Sequence, residues 1–215
     1  VSVDAAGCQS LASKIGQLTA SPYDASFHPN HGLSPSQPTN VSLQLYVKSI
    51  PSLDQKKQQI TLEGYFRESW TDKRLAYGSD NDANCFGSLI LPESQRTAIW
   101  TPDIYFDNAV NSMFGTSSSL SVSPSGQVSR SRQYVIVFAC PFDFAKLPFD
   151  VHSCNVDLAS YSYSTSDIVL AEKDGQGIVI AADNKGTTEF KLSDGAGKIE
   201  TKWFGTGADK VGYSF

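Results

Sequence analysis

Aromatic side chains with polar neighbours are the residues here best suited to chemistry. Tyr65 stands two positions before Arg67, Tyr105 precedes Phe106, Tyr161 and Tyr163 sit among serines, and Trp203-Phe204 leads into Gly205-Thr206-Gly207. Rings gathered from several loops hold a cationic or amphipathic small molecule by cation–π attraction and burial. The competing reading is that the same rings cover the ends of a β core. Groups for catalysis are sparse by comparison. Gly175-Gln176-Gly177 lacks a third glycine in dinucleotide spacing and opens no helix. Ser160, Ser162 and Ser164 supply hydroxyls, but no histidine is tied to them by a motif. His28-Pro29-Asn30-His31 lies in a proline-rich stretch, where histidines are usually solvated. Asp80 and Asp82 read as a solvated acidic loop with at most weak affinity for calcium. We therefore expect a binding protein, with no enzyme activity, metal centre or cofactor.

Composition narrows the partners. The 215 residues carry 17 basic and 22 acidic side chains, a net charge of −5, and no basic run, so we expect no nucleic-acid partner. Hydrophobic residues are 40% and charged residues 18%, too apolar for a disordered chain. A mean hydropathy of −0.23 is too polar for a membrane-embedded one. The longest nearly apolar run, residues 134–142, is about half of a bilayer span. Val1-Ser2-Val3-Asp4 has neither the basic end nor the apolar centre of a signal peptide. The chain reads as a mature secreted protein or as the soluble part of a larger one.

Cys8, Cys85, Cys140 and Cys154 allow three pairings, and no Cys-x-x-Cys is present to suggest zinc. An even cysteine count and the sequon Asn40-Val41-Ser42 favour an oxidising compartment, two disulfides and glycosylation at Asn40. The close pair, Cys140 with Cys154, would shut a short loop, stabilising the fold by about 3 kcal/mol. Cys8 with Cys85 would then tie the amino-terminal segment to a distant loop. Buried free thiols are the alternative.

The elements that must position these groups are mostly strands. Cys8, Leu11, Ile15 and Leu18 recur at steps of three and four, which predicts a helix over 4–18 with those residues on one stripe. Four prolines between 21 and 38 mark a turn-rich stretch. Period two follows. Val41, Leu43, Leu45 and Val47 share one face, and Ile60, Leu62, Gly64, Phe66 and Trp70 another, leaving Thr61, Glu63, Tyr65, Arg67 and Ser69 outward. Strand-like runs recur at 89–91, 120–122, 128–140, 155–158, 168–170, 178–181, 190–192, 199–204 and 211–215. Short strands with frequent turns and one leading helix predict an all-β antiparallel sandwich, organised as one domain over 1–215.

Residues 140–154, reading Cys-Pro-Phe-Asp-Phe-Ala-Lys-Leu-Pro-Phe-Asp-Val-His-Ser-Cys, resemble the signature loop of the Cys-loop receptors. These are the pentameric neurotransmitter-gated channels, to which the soluble acetylcholine-binding proteins are related. Trp70-Thr71-Asp72-Lys73-Arg74-Leu75 and Trp100-Thr101-Pro102-Asp103 resemble two further family segments in the expected order. The resemblance covers most of residues 4–215 and the extracellular domain only. It implies an immunoglobulin-like sandwich of ten strands with a leading helix. It also implies five copies of the same or similar subunits around an axis, with small-molecule sites between neighbours.

By the same resemblance, Tyr105 falls on the first binding loop of the principal face and Tyr161 on the second, with Ser160 beside it. Phe204 falls on the hairpin that closes over the ligand, with Trp203 as its neighbour. On the complementary face Tyr65 and Arg67 line one strand, Ser129 and Ser131 the facing one. Alternation puts each of these two pairs on one side of its strand. Departures from the pattern steer the ligand. The closing hairpin lacks the adjacent cysteines of acetylcholine-binding subunits, Tyr161 replaces their tryptophan, and Ala159 replaces an acid of some amine-binding relatives. Arg67 matches the arginine that holds a carboxylate in the γ-aminobutyrate and glycine receptors. The expected ligand is a small amine or an amino-acid-like molecule, with these departures weighing against acetylcholine and toward an anionic or zwitterionic one.

The signature loop bears on the membrane. Phe142, Phe144, Leu147 and Phe149 around Pro148, with Asp150, make it strongly apolar, where water-soluble relatives tend to be polar. The resemblance implies that such a loop meets the transmembrane domain of the same chain and couples ligand closure to gating. The expected place is the extracellular side of the plasma membrane, with a secreted pentamer as the alternative.

Overall fold

The computed structural model describes residues 10–33, 37–78, 87–146, 149–181, 202–204 and 208–214. Helix α1, Leu11–Leu18, starts where the Ser10 side chain accepts the Ser13 amide at 3.2 Å. The expected apolar stripe is rotated. Lys14 and Ile15 are the buried residues, while Leu11 is 39% exposed. The Lys14 ammonium lies 5.7 Å from the centre of the Tyr77 ring, a cation–π distance that favours its inward turn. The part of the predicted helix before residue 10, and Cys8 with it, lie outside the described residues.

The period-two segments become a long hairpin, β1, Thr39–Asp54, and β2, Gln59–Thr71, joined by a turn in which Asp54 accepts the Lys57 amide at 3.0 Å. Leu43, Leu45, Leu62 and Phe66 are at most 1% exposed, matching the inward phase read from the sequence. Next come β3, Leu89–Ile90, β4, Ile104–Phe106, β5, Ala109–Val122, and β6, Gln127–Ala139. The last five strands are β7, Asn155–Ser160, β8, Ile168–Glu172, β9, Ile178–Ile180, β10, Lys202–Phe204, and β11, Ala208–Ser214.

One sheet runs β3-β5-β6-β2-β1-β8 with β9 also on β1, and a second runs β10-β11-β7-β4. The predicted sandwich is thus the fold, with eleven strands among the described residues where ten were expected for the chain. Its pairing is also not purely antiparallel, because β8 and β9 both join β1 in parallel. Phe106 of β4 fills the space between the sheets, its ring centre 5.4 Å from Phe66 and 5.9 Å from Phe138. Burying rings of this size stabilises by about 1.5–3 kcal/mol each. Tyr134 crosses the core to donate its hydroxyl to the Tyr46 carbonyl at 3.3 Å. It passes over Gly64, where an added Cβ would lie 1.9 Å from that same carbonyl, so a side chain there would push the hairpin apart.

Cys140 and Cys154 are disulfide-bonded, 5.1 Å apart between Cα atoms, closing the loop between β6 of the first sheet and β7 of the second. Cys85, like Cys8, lies outside the described residues. Asn40 is exposed on β1, its neighbours Thr39 and Val41 buried.

Candidate functional site

Two half-sites emerge, one on each sheet. On the second sheet, β4 sets Tyr105 opposite Ala159 of β7, and Ile104 opposite Ser160. Immediately past β7 the chain turns and displays Tyr161, 83% exposed, with its ring 6.0 Å from Tyr105 in an edge-to-face arrangement. The Tyr105 hydroxyl donates to Asp107 at 2.9 Å, which fixes the ring's direction. Ser160, expected beside the ligand, is buried instead. Its hydroxyl donates to Asp103 at 2.5 Å and accepts the Tyr163 amide at 3.0 Å, and the other Asp103 oxygen accepts the Ser162 amide at 2.7 Å. Asp103 and Ser160 therefore shape the turn that presents Tyr161. The β10–β11 hairpin joins this sheet, Phe204 opposite Ala208 and Trp203 opposite Asp209, while β11 pairs with β7. The side chains of Trp203 and Phe204 lie outside the described residues.

On the outer face of the first sheet, Arg67 sits opposite Ser131 and Gln44, Tyr65 opposite Gln133 and Tyr46, and Ser69 opposite Ser129. The expected complementary face is thus one continuous patch of sheet. Arg67 donates to Gln44 at 2.9 Å and its guanidinium lies 5.0 Å from the Tyr46 ring centre, while Tyr46 and Tyr65 rings are 6.2 Å apart. Arg67, Ser129 and Ser131 line a surface depression of about 120 Å³. Ser119, Ser121, Lys173, Glu68 and Arg130 complete its lining. Serine hydroxyls, an arginine and a lysine around one hollow suit an anion. Lys173 was not legible in the sequence, since only the approach of the segment after β8 to the β1 edge brings it there.

Beneath this patch lies a cluster that sequence reasoning missed. Glu68, 1% exposed, accepts from Arg130 Nε and Nη2 at 2.6 Å each. Arg132 Nη2 approaches the same carboxylate at 3.2 Å, as an ion pair not aligned as a hydrogen bond, and its guanidinium lies 3.9 Å from the Phe114 ring centre. Burial pushes Arg132 down to about 10, which leaves it charged at neutral pH. Extending the inward phase Gly64, Phe66, Trp70 to Glu68 would have found it.

A third group borders the Tyr161 turn. His28 is buried, its Nδ1 3.1 Å from the Thr39 hydroxyl and its Nε2 4.0 Å from Asp167, with His31 and Tyr163 edge-on at 5.5 and 6.1 Å. Asp167 in turn accepts the Ser164 amide at 3.0 Å. Burial, helped by His31 and Arg74 and opposed by Asp167, holds His28 below the ordinary imidazole value of 6.5. A folded-state value below the unfolded one means that the unfolded chain binds the extra proton, so stability falls as pH drops through 6.5 and below. Thermal unfolding of His28→Gln, scanned between about pH 7 and 5, should lose less melting temperature than wild type. Equal slopes would show that His28 does not carry the effect.

The Cys140–Cys154 loop divides its apolar residues. Phe142 is packed, its ring 4.8 Å from His152, and His152 pairs with Asp150 while accepting the Asp143 amide at 3.3 Å. Phe149 and Val151 are 86% and 93% exposed. Leu147 and Pro148 lie outside the described residues, as do Asp80 and Asp82. Among the described residues no three His, Cys, Asp or Glu side chains are grouped to hold a metal ion, and no helix is long and apolar enough to cross a membrane.

Comparison with known proteins bears on this arrangement. Residues 12–206 match the family described as the neurotransmitter-gated ion-channel ligand binding domain. The chain is 30% identical over 177 residues to gamma-aminobutyric acid receptor alpha-like from Drosophila melanogaster, covering 80% of this chain and 24% of that protein. It is 30% identical over 176 residues to gamma-aminobutyric acid receptor subunit theta from Mus musculus, 80% of this chain and 26% of the relative. A glutamate-gated chloride channel of Drosophila melanogaster is 30% identical over 167 residues, 76% of this chain and 36% of the relative. The chain spans about a quarter to a third of the length of these relatives.

Proposed function

Because the chain belongs to the neurotransmitter-gated ion-channel ligand-binding domain family, which consists of receptors and not enzymes, we propose that residues 1–215 form one extracellular domain that binds a small amino-acid-like ligand between neighbouring subunits of a pentameric channel. One observation carries the reading. Tyr105 and Tyr161 stand out from one sheet, whereas Arg67, Ser129 and Ser131 line a hollow on the other. Opposite faces of a single protomer cannot meet around one small molecule, but the face of one copy and the hollow of the next can. The tyrosines would supply ring surface for an ammonium group and Arg67 a fork for a carboxylate. Closure of the β10–β11 hairpin over the ligand, with Phe204 and Trp203 on it, would select the closed state by tighter binding. Exposed Phe149 and Val151 on the disulfide loop favour a domain seated on a membrane portion of the same chain over a secreted pentamer.

The test is a binding titration of the assembled protein with γ-aminobutyrate and with L-glutamate, read by calorimetry and accompanied by mass measurement of the assembly. Tyr161→Ala should weaken binding of whichever acts as ligand by about 1–3 kcal/mol. An unchanged dissociation constant would remove Tyr161 from the site, and a monomeric protein would remove the shared pocket altogether.

A further inference from the structure

Arg130 borders the hollow beside Arg67 and Ser131, yet its guanidinium turns inward. Besides the two bonds to Glu68, Nη2 donates to the Pro102 carbonyl at 2.8 Å. Pro102 precedes Asp103, the carboxylate that takes the Ser160 hydroxyl and the Ser162 amide. A second path is aromatic. The Arg130 guanidinium lies 6.0 Å from the Trp70 ring centre, Trp70 meets Trp100 edge-on at 5.7 Å, and Trp100 donates Nε1 to the Tyr163 hydroxyl at 2.8 Å. Both paths end on residues 160–163, which flank Tyr161. A planar fork that is bidentate to a buried carboxylate and also bonded to a carbonyl has little freedom to turn. Moving it disturbs the β6 side of the hollow and the Pro102–Asp103 segment together.

Resting on the intersubunit reading above, we propose that Arg130 is a positioning residue that transmits the state of the Arg67–Ser131 hollow, on one face of a protomer, to the turn displaying Tyr161 on its other face. In a ring these faces belong to two different ligand sites. Occupancy of one site then biases the next through the body of the shared protomer, a coupling between distinct sites.

Amide hydrogen exchange in the full-length assembled protein tests the positioning step without any ligand. The variants are Arg130→Lys and Arg130→Gln, the second of which leaves the Glu68 carboxylate paired with Arg132. The Ser162 and Tyr163 amides should exchange about tenfold faster. Amides of the β2–β6 ladder, such as Leu62 and Ile136, should stay within about twofold. Unchanged exchange at Ser162 and Tyr163, or uniform acceleration throughout, would assign Arg130 a merely structural role. For the transmission step, Ser131→Cys labelled with a bulky methanethiosulfonate serves as a defined occupant of the hollow. Labelling should alter exchange at Ser162 and Tyr163, and should cease to do so when Arg130→Lys is also present. Persistence of the change in that background would mean that the signal passes directly from the neighbouring copy, which overturns the proposal. Failure of the ligand reading would instead leave these exchange results intact while Tyr161→Ala had no effect on binding.

Discussion

Replacing Glu68 by alanine should lower the unfolding free energy by about 3–5 kcal/mol, because it strands buried cations. Arg130 and Arg132 both converge on this carboxylate, at 2.6 and 3.2 Å, and the Glu68 side chain is fully out of solvent. The Phe114 face covers the Arg132 guanidinium and the Trp70 ring lies 6.0 Å from that of Arg130, so little of either cation is left to water once the acid is lost. Urea denaturation should shift its midpoint by about 1 M or more, with an unchanged slope if the fold itself survives. Glu68→Gln should cost less, since the amide oxygen keeps one acceptor in place. An exposed pair gives the contrast. Lys48 and Glu63 are 3.4 Å apart with the lysine half in water, and Lys48→Ala should change stability by less than about 1 kcal/mol. If Glu68→Ala proves as mild as Lys48→Ala, the cluster is hydrated in solution and the sheet is looser there than the structure indicates.

That cluster also marks where the sequence stopped being readable. The inward phases of β1 and β2 were legible because Val41, Leu43, Leu45, Leu62 and Phe66 are apolar and the pattern is strict. The same phase carries Glu68, Arg130 and Arg132 inward, but charges are ordinarily outward, and only their convergence in space makes burial tolerable. Strand β4 and most of β5 went unseen for the opposite reason. Serines, Gly115 and exposed Val110 and Met113 give β5 no alternation, and its place is held by pairing with β6 instead. The face bearing Tyr65, Arg67, Ser129 and Ser131 followed from alternation and family resemblance together, and cross-strand register now sets these residues side by side. Ser160, expected on the ligand face beside Tyr161, is buried and bonded to Asp103, a partner 57 positions away that no local pattern announces. Contacts between the 100–103 segment and the end of β7 depend on the sandwich being closed, which no local pattern encodes.

Arg67→Ala should weaken a carboxylate ligand by about 2–5 kcal/mol, roughly 30-fold or more in dissociation constant, while a simple amine loses little. Gln44 and Tyr46 hold the guanidinium in place, and both are uncharged, so its orientation is fixed without its charge being spent. A carboxylate entering the hollow would meet the remaining N–H donors of a group already positioned, with the Ser131 hydroxyl directly across the strand pair. Arg67→Lys should recover only part of the loss, because an ammonium is a point charge and cannot present two parallel donors. Pairing the calorimetric titration of γ-aminobutyrate or L-glutamate with that of an amine lacking the carboxylate separates charge recognition from packing. A selective loss for the acid assigns Arg67 to the carboxylate. Equal losses for both would mean that the arginine serves to order Tyr46 and Tyr65, and the anchor for an anion would then have to be sought at Lys173, the other cation besides Arg130 that lines the hollow.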